Sequence, residues 1–305
     1  MKRFERILVC IDQPERDSRM LAYTKAITRF ADSKEVHILH VADDQERADA
    51  DSSAPAAVTE ETLRAIAGEH FKDPAAPKCS FQVVQGSPLI EILRFGYEKD
   101  VDLIVIGLQH GEDNETNRQA LMSRRLTRKA TCSVLALPEE YEVKADMILV
   151  PVRNSDCSAN ALDVACAIAA ETKARVIPFN VYRLSVGYSR VGATREEHEA
   201  LLDAAAQHEC ELLLKGIDTR SVAVSCETAP DPHNKPVPVI LEAIERASAD
   251  LVVIGARGRT GMAGVLLGAV TDQLISTSTV PVLAVKTKGE CLGIVRALLA
   301  LAGEG

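Results

Sequence analysis

At 305 residues and a net charge of −9, the chain is long enough for two ordinary domains and too acidic for a dedicated nucleic-acid binder. No apolar run reaches 18 residues and the start MKRFERILV carries no secretory pattern, so a soluble, cytoplasmic protein with no membrane partner is expected. Its eight cysteines (10, 79, 132, 157, 166, 210, 226, 291) form no C-x-x-C pair, and its seven histidines show no H-x3-H or H-E-x-x-H spacing. The thiols therefore read as structural or inert, and no metal site is expected.

In chain order, ERILVCIDQ (5–13) reads as a first strand. Ser18 reads as a helix N-cap, followed by Leu21, Ala22, Ala26, Ile27 and Phe30 at helical spacing. The acidic stretch 43–55 lacks apolar periodicity and reads as a surface loop. GSPLIEIL (86–93) precedes VDLIVIG (101–107), a continuous apolar run suited to a strand buried on both faces. Arg124, Arg125, Arg128 and Lys129 form a basic run on the next helix, where cations favour a C-terminal dipole, and CSVLAL (132–137) is a further strand.

The pattern then begins again. DMILVPVRN (146–154) repeats the first strand, with Ser158 read as the cap and Leu162, Ala165, Ile168 and Ala169 on one helix face. PDPHNKPVP (230–238) reads as a loop that holds off a helix until about Val239. ADLVVIG (249–255) repeats VDLIVIG, and VPVLAV (280–285) repeats CSVLAL. One domain in two copies, 1–142 and 143–305, fits these offsets, and strands alternating with helices argue for a doubly wound α/β sandwich in each. An apolar tail (287–305) follows, with Leu292, Ile294, Val295, Leu298, Leu299 and Leu301 suited to packing against its own domain or a second chain.

The second ADLVVIG-type strand leads into Gly255, Gly258 and Gly268, spaced G-x2-G-x9-G before a helix. Gly255 would allow close approach to the strand end, Gly258 could supply a positive φ, and Gly268 would open the helix. First-turn amides at a helix N-terminus suit an anion such as phosphate.

This stretch resembles the universal stress protein family, whose nucleotide-binding members carry G-x2-G-x9-G followed by Ser or Thr. The resemblance extends over nearly the whole chain. It implies two tandem five-stranded parallel-sheet domains, Rossmann-like and of the adenine-nucleotide alpha-hydrolase type. It also implies a site for ATP, ADP or AMP, with or without Mg²⁺, in the second copy. Pro151, Val152 and Arg153 would end the first strand there, Val181 would sit near the adenine, and Gly255, Arg257, Gly258, Arg259, Gly268, Ala269 and Val270 would surround the phosphates. Ala269 stands where the family has a hydroxyl, at a cost of about 0.5–1.5 kcal/mol in hydrogen bonding. Arg153 stands where the family has Asp. It either forks onto a phosphate or folds over the cleft and plugs it.

The first copy keeps the carboxylate, as Asp12, and the first glycine, as Gly107. It puts His110 at the second glycine and Ala120 and Leu121 where Gly268 and Ala269 stand. It reads as a structural or partner-binding half. The expected function is stress-linked nucleotide sensing without catalysis, because the second copy lacks the carboxylate that would hold a cation for hydrolysis. A nucleotide-free scaffold plugged by Arg153 is the other reading. Edge pairing of Val134–Leu137 with Val282–Val285 would make an internal pseudo-dimer, and an unknown protein partner or a homodimer fits the same family pattern.

Overall fold

The computed structural model describes residues 3–42, 58–108, 114–184, 194–256 and 268–288. They divide into two compact units, one running to Val143 and taking in 286–288, the other running from Lys144 to Val285.

In the first unit, β1 (Arg6–Cys10), β2 (Glu35–Ala42), β3 (Lys78–Gln85), β4 (Leu103–Gly107) and β5 (Ser133–Leu137) alternate with four helices: α1 (Pro14–Ala31), α2 (Glu60–His70), α3 (Pro88–Glu98) and α4 (Asn114–Lys129). Every strand pairing is parallel, in the order β3-β2-β1-β4-β5. The chain steps outward from β1 through β2 to β3, then returns to β4 on the other side. Right-handed crossovers in opposite directions put helices on opposite faces. Accordingly α1 packs beside α2, and α3 beside α4.

The second unit repeats this plan. Its elements are β6 (Met147–Pro151), α5 (Asp156–Thr172), β7 (Arg175–Arg183), α6 (Arg195–Lys215), β8 (Glu227–Asp231), α7 (Pro236–Ala247), β9 (Leu251–Gly255), α8 (Ala269–Thr277) and β10 (Val282–Val285). The order is β8-β7-β6-β9-β10, again all parallel. The central strands are apolar because both faces are covered: Ile7, Leu8, Val9 and Leu103 in one unit, and Ile148, Leu149, Val252 and Val253 in the other, have no measurable exposure.

One shared contact explains an Asp found in both repeats. Asp102 Oδ2 accepts the Arg6 amide at 2.8 Å, and Asp250 Oδ1 accepts the Met147 amide at 3.2 Å. Each carboxylate thus satisfies a strand-end amide that the ladder leaves open.

Helix starts differ from the sequence reading. Neither Ser18 nor Ser158 is an N-cap: α1 begins at Pro14 after Gln13, and the cap of α5 is Ser155, whose hydroxyl accepts from Ser158 N at 3.3 Å. Proline is tolerated at the first helical position because its missing N–H would find no partner there. For the same reason α7 begins at Pro236, earlier than Val239, and Pro230 and Asp231 complete β8. The acidic stretch 43–55 and the tail beyond Lys288 lie outside the described residues. No helix among the described residues is long and apolar enough to cross a membrane.

Candidate functional site

In a sheet of order 3-2-1-4-5 the loops after strands 1 and 4 leave in opposite directions, opening space beyond their carboxyl ends. In the second unit those strands are β6 and β9. Val152 N extends β6 by bonding Phe179 O at 2.9 Å, and Ala256 N extends β9 by bonding Val285 O at 2.8 Å. Beyond them the backbone leaves the sheet. Pro151 is half-buried and Val152 is buried, so the latter offers backbone rather than side chain to this end of the sheet.

Arg153 follows at once. Its amide donates to Ser158 Oγ at 3.0 Å, and Ser155 Oγ donates to the same oxygen at 3.1 Å. This Ser-x-x-Ser pair turns the chain into α5. It leaves the Arg153 side chain exposed rather than packed into the strand ends. Val181 lies near the end of β7, half-buried, opposite Ala229 in β8. Arg257, Gly258 and Arg259 lie outside the described residues.

The two described glycines have different reasons to be glycine. A Cβ at Gly255 would lie 2.4 Å from the Cys157 carbonyl oxygen and 2.7 Å from its carbon. The missing side chain is filled by the first turn of α5, which crosses the end of β9. At Gly268 a Cβ would meet Thr271 Oγ1 alone, at 3.7 Å. Its φ of −57° is also open to any residue. Among the described residues, neither packing nor backbone geometry requires glycine there.

Gly268 is the N-cap of α8 and contributes no side chain to it. The first intrahelical bond runs from Asp272 N to Gly268 O at 3.0 Å, so the amides of Ala269, Val270 and Thr271 have no acceptor within the helix. Ala269 is exposed and Val270 half-buried. Thr271 Oγ1 donates to Gly255 O at 3.3 Å, tying this helix start to the strand end. The arrangement is a positive helix end held beside the carboxyl end of β9.

The first unit differs at this place. Paired positions in β4–β5 and β9–β10 keep one offset, Val105 with Leu135 and Val253 with Leu283. The two helices also end together at that offset, Lys129 and Thr277, but α4 begins at Asn114 and α8 at Ala269. Ala120 and Leu121 therefore lie in the second turn of α4, where amides are already bonded within the helix. At the other strand end, Asp17 Oδ2 accepts the amides of Asp12 and Gln13 at 2.7 and 3.0 Å. Asp12 is exposed. Sequence reasoning missed Asp17 and gave Ser158 the role of a cap, whereas both hold the turn after the first strand of their repeat; the signal was a hydrogen-bonding side chain five residues beyond Asp12 and Arg153.

Among the described residues no group of three or more His, Cys, Asp or Glu is placed to hold a metal. The Cys10 thiol is pushed up by burial, and Cys132 is raised to about 12 by the same cause, which keeps both protonated and unreactive.

The sequence model of the universal stress protein family matches residues 3–138 and again 145–286. A universal stress protein of Methanocaldococcus jannaschii is 33% identical over 141 residues, covering 46% of this chain and 81% of that protein. Among solved structures, a protein of unknown function from Pseudomonas aeruginosa superposes with a TM-score of 0.67 at 19% identity, covering 100% of this chain and 99% of that one. A universal stress protein from Archaeoglobus fulgidus gives 0.60 at 16% identity, covering 93% and 96%. At such identities the structural likeness is one of fold.

Proposed function

The chain belongs to the universal stress protein family through both of its repeats, and from that premise we propose that its second unit binds an adenine nucleotide as a non-catalytic sensor in a stress response. The observation that carries the proposal is the start of α8, where three amides with no acceptor within the helix follow a glycine that, among the described residues, packing does not require. A phosphate at this point would satisfy those amides and meet the positive end of the helix. Arg153, exposed at the neighbouring strand end, is the cation we assign to the same phosphates, and Val181 the apolar contact we assign to the base. The residues we assign to the site further include Pro151, Val152, Gly255, Arg257, Gly258, Arg259, Gly268, Ala269 and Val270.

The test is calorimetric titration of ATP, ADP and AMP, with and without Mg²⁺, into protein shown by mass spectrometry to carry no bound nucleotide. Micromolar binding is expected. In Gly268→Leu it should be lost while the circular dichroism spectrum stays unchanged, because leucine would project over the amides. Unchanged affinity in that variant would sink the assignment. No binding by the ligand-free protein would leave the fold as a scaffold for a protein partner.

A further inference from the structure

Two cysteines separated in sequence meet on one face of the second unit. Strands β7 and β8 pair with Phe179 opposite Glu227 and Asn180 opposite Thr228. One step back along the same register, Cys226 lies opposite Pro178. The even-numbered side chains of both strands face α6. Asn180 Nδ2 donates to Ala206 O and Glu209 Oε2, both at 3.2 Å. Thr228 Oγ1 donates to Asp203 and accepts from Gln207 Nε2 at 3.3 Å. Since side chains alternate across a strand, Cys226 points to α6 as Thr228 does. Cys210 stands one helical turn beyond Ala206, and its Sγ lies 3.9 Å from Pro178 O, the residue opposite Cys226. Both cysteines therefore converge on Pro178, between α6 and the β7–β8 pair. Cys210 is buried and Cys226 half-buried, so one of the pair is reached from solvent.

We propose that Cys210 and Cys226 are a redox-active pair that closes to a reversible disulfide by exchange with a small disulfide such as oxidised glutathione. The Cys226 thiolate attacks one sulfur of the small disulfide, whose S–S bond breaks and releases one thiolate that takes up a proton. Cys210 then gives its proton to water and attacks the Cys226 sulfur, and the second small thiol leaves. Two protein thiols are oxidised to one disulfide, and one small disulfide is reduced to two thiols.

The division of roles follows from access. Cys226, half-buried, is the thiol that a small disulfide reaches, so it attacks first. Cys210, buried beneath α6, serves as the second, resolving thiol. The closed pair would staple α6 to β8, an edge strand of its unit.

The experiment is incubation of the reduced full-length chain with oxidised glutathione, then alkylation, trypsin digestion and mass spectrometry without reduction. Tryptic peptides 196–215 and 221–246 each hold a single cysteine, Cys210 and Cys226. The expected product is these two peptides joined, separated again by dithiothreitol, with the oxidised protein melting roughly 5–10 °C above the reduced one. In Cys226→Ser, whose replaced side chain is half-buried, both the joined peptide and the shift should disappear. Recovery of both peptides alkylated, a stable glutathione adduct on Cys226, or pairing of either cysteine elsewhere would overturn the proposal.

Discussion

Gly255 and Gly268 occupy matching places in one spacing, yet what surrounds them differs, and substitution should separate them. Gly255→Ala would drive a methyl group into the Cys157 carbonyl, which is backbone and has no room to move without shifting α5. A loss of about 1–3 kcal/mol is expected from such overpacking, read as a lower urea midpoint at unchanged slope. Gly268→Ala places its methyl in ordinary contact with Thr271 Oγ1, and losing a glycine cap should cost below about 1 kcal/mol. Equal losses would show that the two glycines share one role. Arg153 supports a second test at this scale. If Arg153 meets a phosphate, Arg153→Asp would remove a charge-assisted contact of about 1.5–3 kcal/mol, and ATP affinity should fall at least tenfold. A rise in affinity would instead mark Arg153 as a plug.

At the scale of elements, the central strands were legible because burial on both faces demands the uninterrupted apolar runs seen at Leu103–Ile106 and Leu251–Ile254. The repeat was legible because those runs recur. Helix starts were not. Ser18 and Ser158 are good cap residues, but caps are decided by where the strand releases the chain, and Ser158 is instead the acceptor for the Arg153 amide. The glycine spacing located the helix start at Ala269, yet could not reveal that Gly255 answers to α5. Nor could 15 intervening residues show that Cys210 and Cys226 meet, since only the β7–β8 register against α6 brings them together.

His37 in β2 gives the element scale a pH signature. Its Nδ1 lies 2.7 Å from Ser80 Oγ of β3, and its ring meets Phe95 of α3 edge-on. Burial holds it below the ordinary imidazole value, Lys99 and Arg6 act in the same direction, and Glu35 opposes them. The unfolded chain therefore takes up the proton first. The stability this creates is present above an unfolded value of about 6.5 and lost as pH falls towards the folded one. Urea midpoints should drop between about pH 7 and pH 5.5, and His37→Gln should flatten part of that slope. His70, lowered by burial as well, contributes to the slope with the same sign. An identical slope in the variant would remove His37 from the account.

For the whole molecule, the two repeats have kept one fold and divided the features of one site. The first retains an exposed carboxylate at Asp12, but α4 begins so early that the amides at Ala120 and Leu121 are consumed within the helix. The second retains the open helix start and carries a cation where the carboxylate would be. A phosphate is held by unpaired donors and positive charge, not by a carboxylate alone, so the proposed nucleotide site is assigned to the second unit. Titration should accordingly saturate at one nucleotide per chain, and Asp12→Ala should leave both stoichiometry and affinity within about twofold of the parent, a difference under about 0.5 kcal/mol. Two equivalents per chain, or a Mg²⁺-dependent loss of affinity in Asp12→Ala, would mean that the first unit has found another way to hold a phosphate. Its long α4 would then be the place to look, because lost amides can be replaced only by side chains such as the arginines along its later turns.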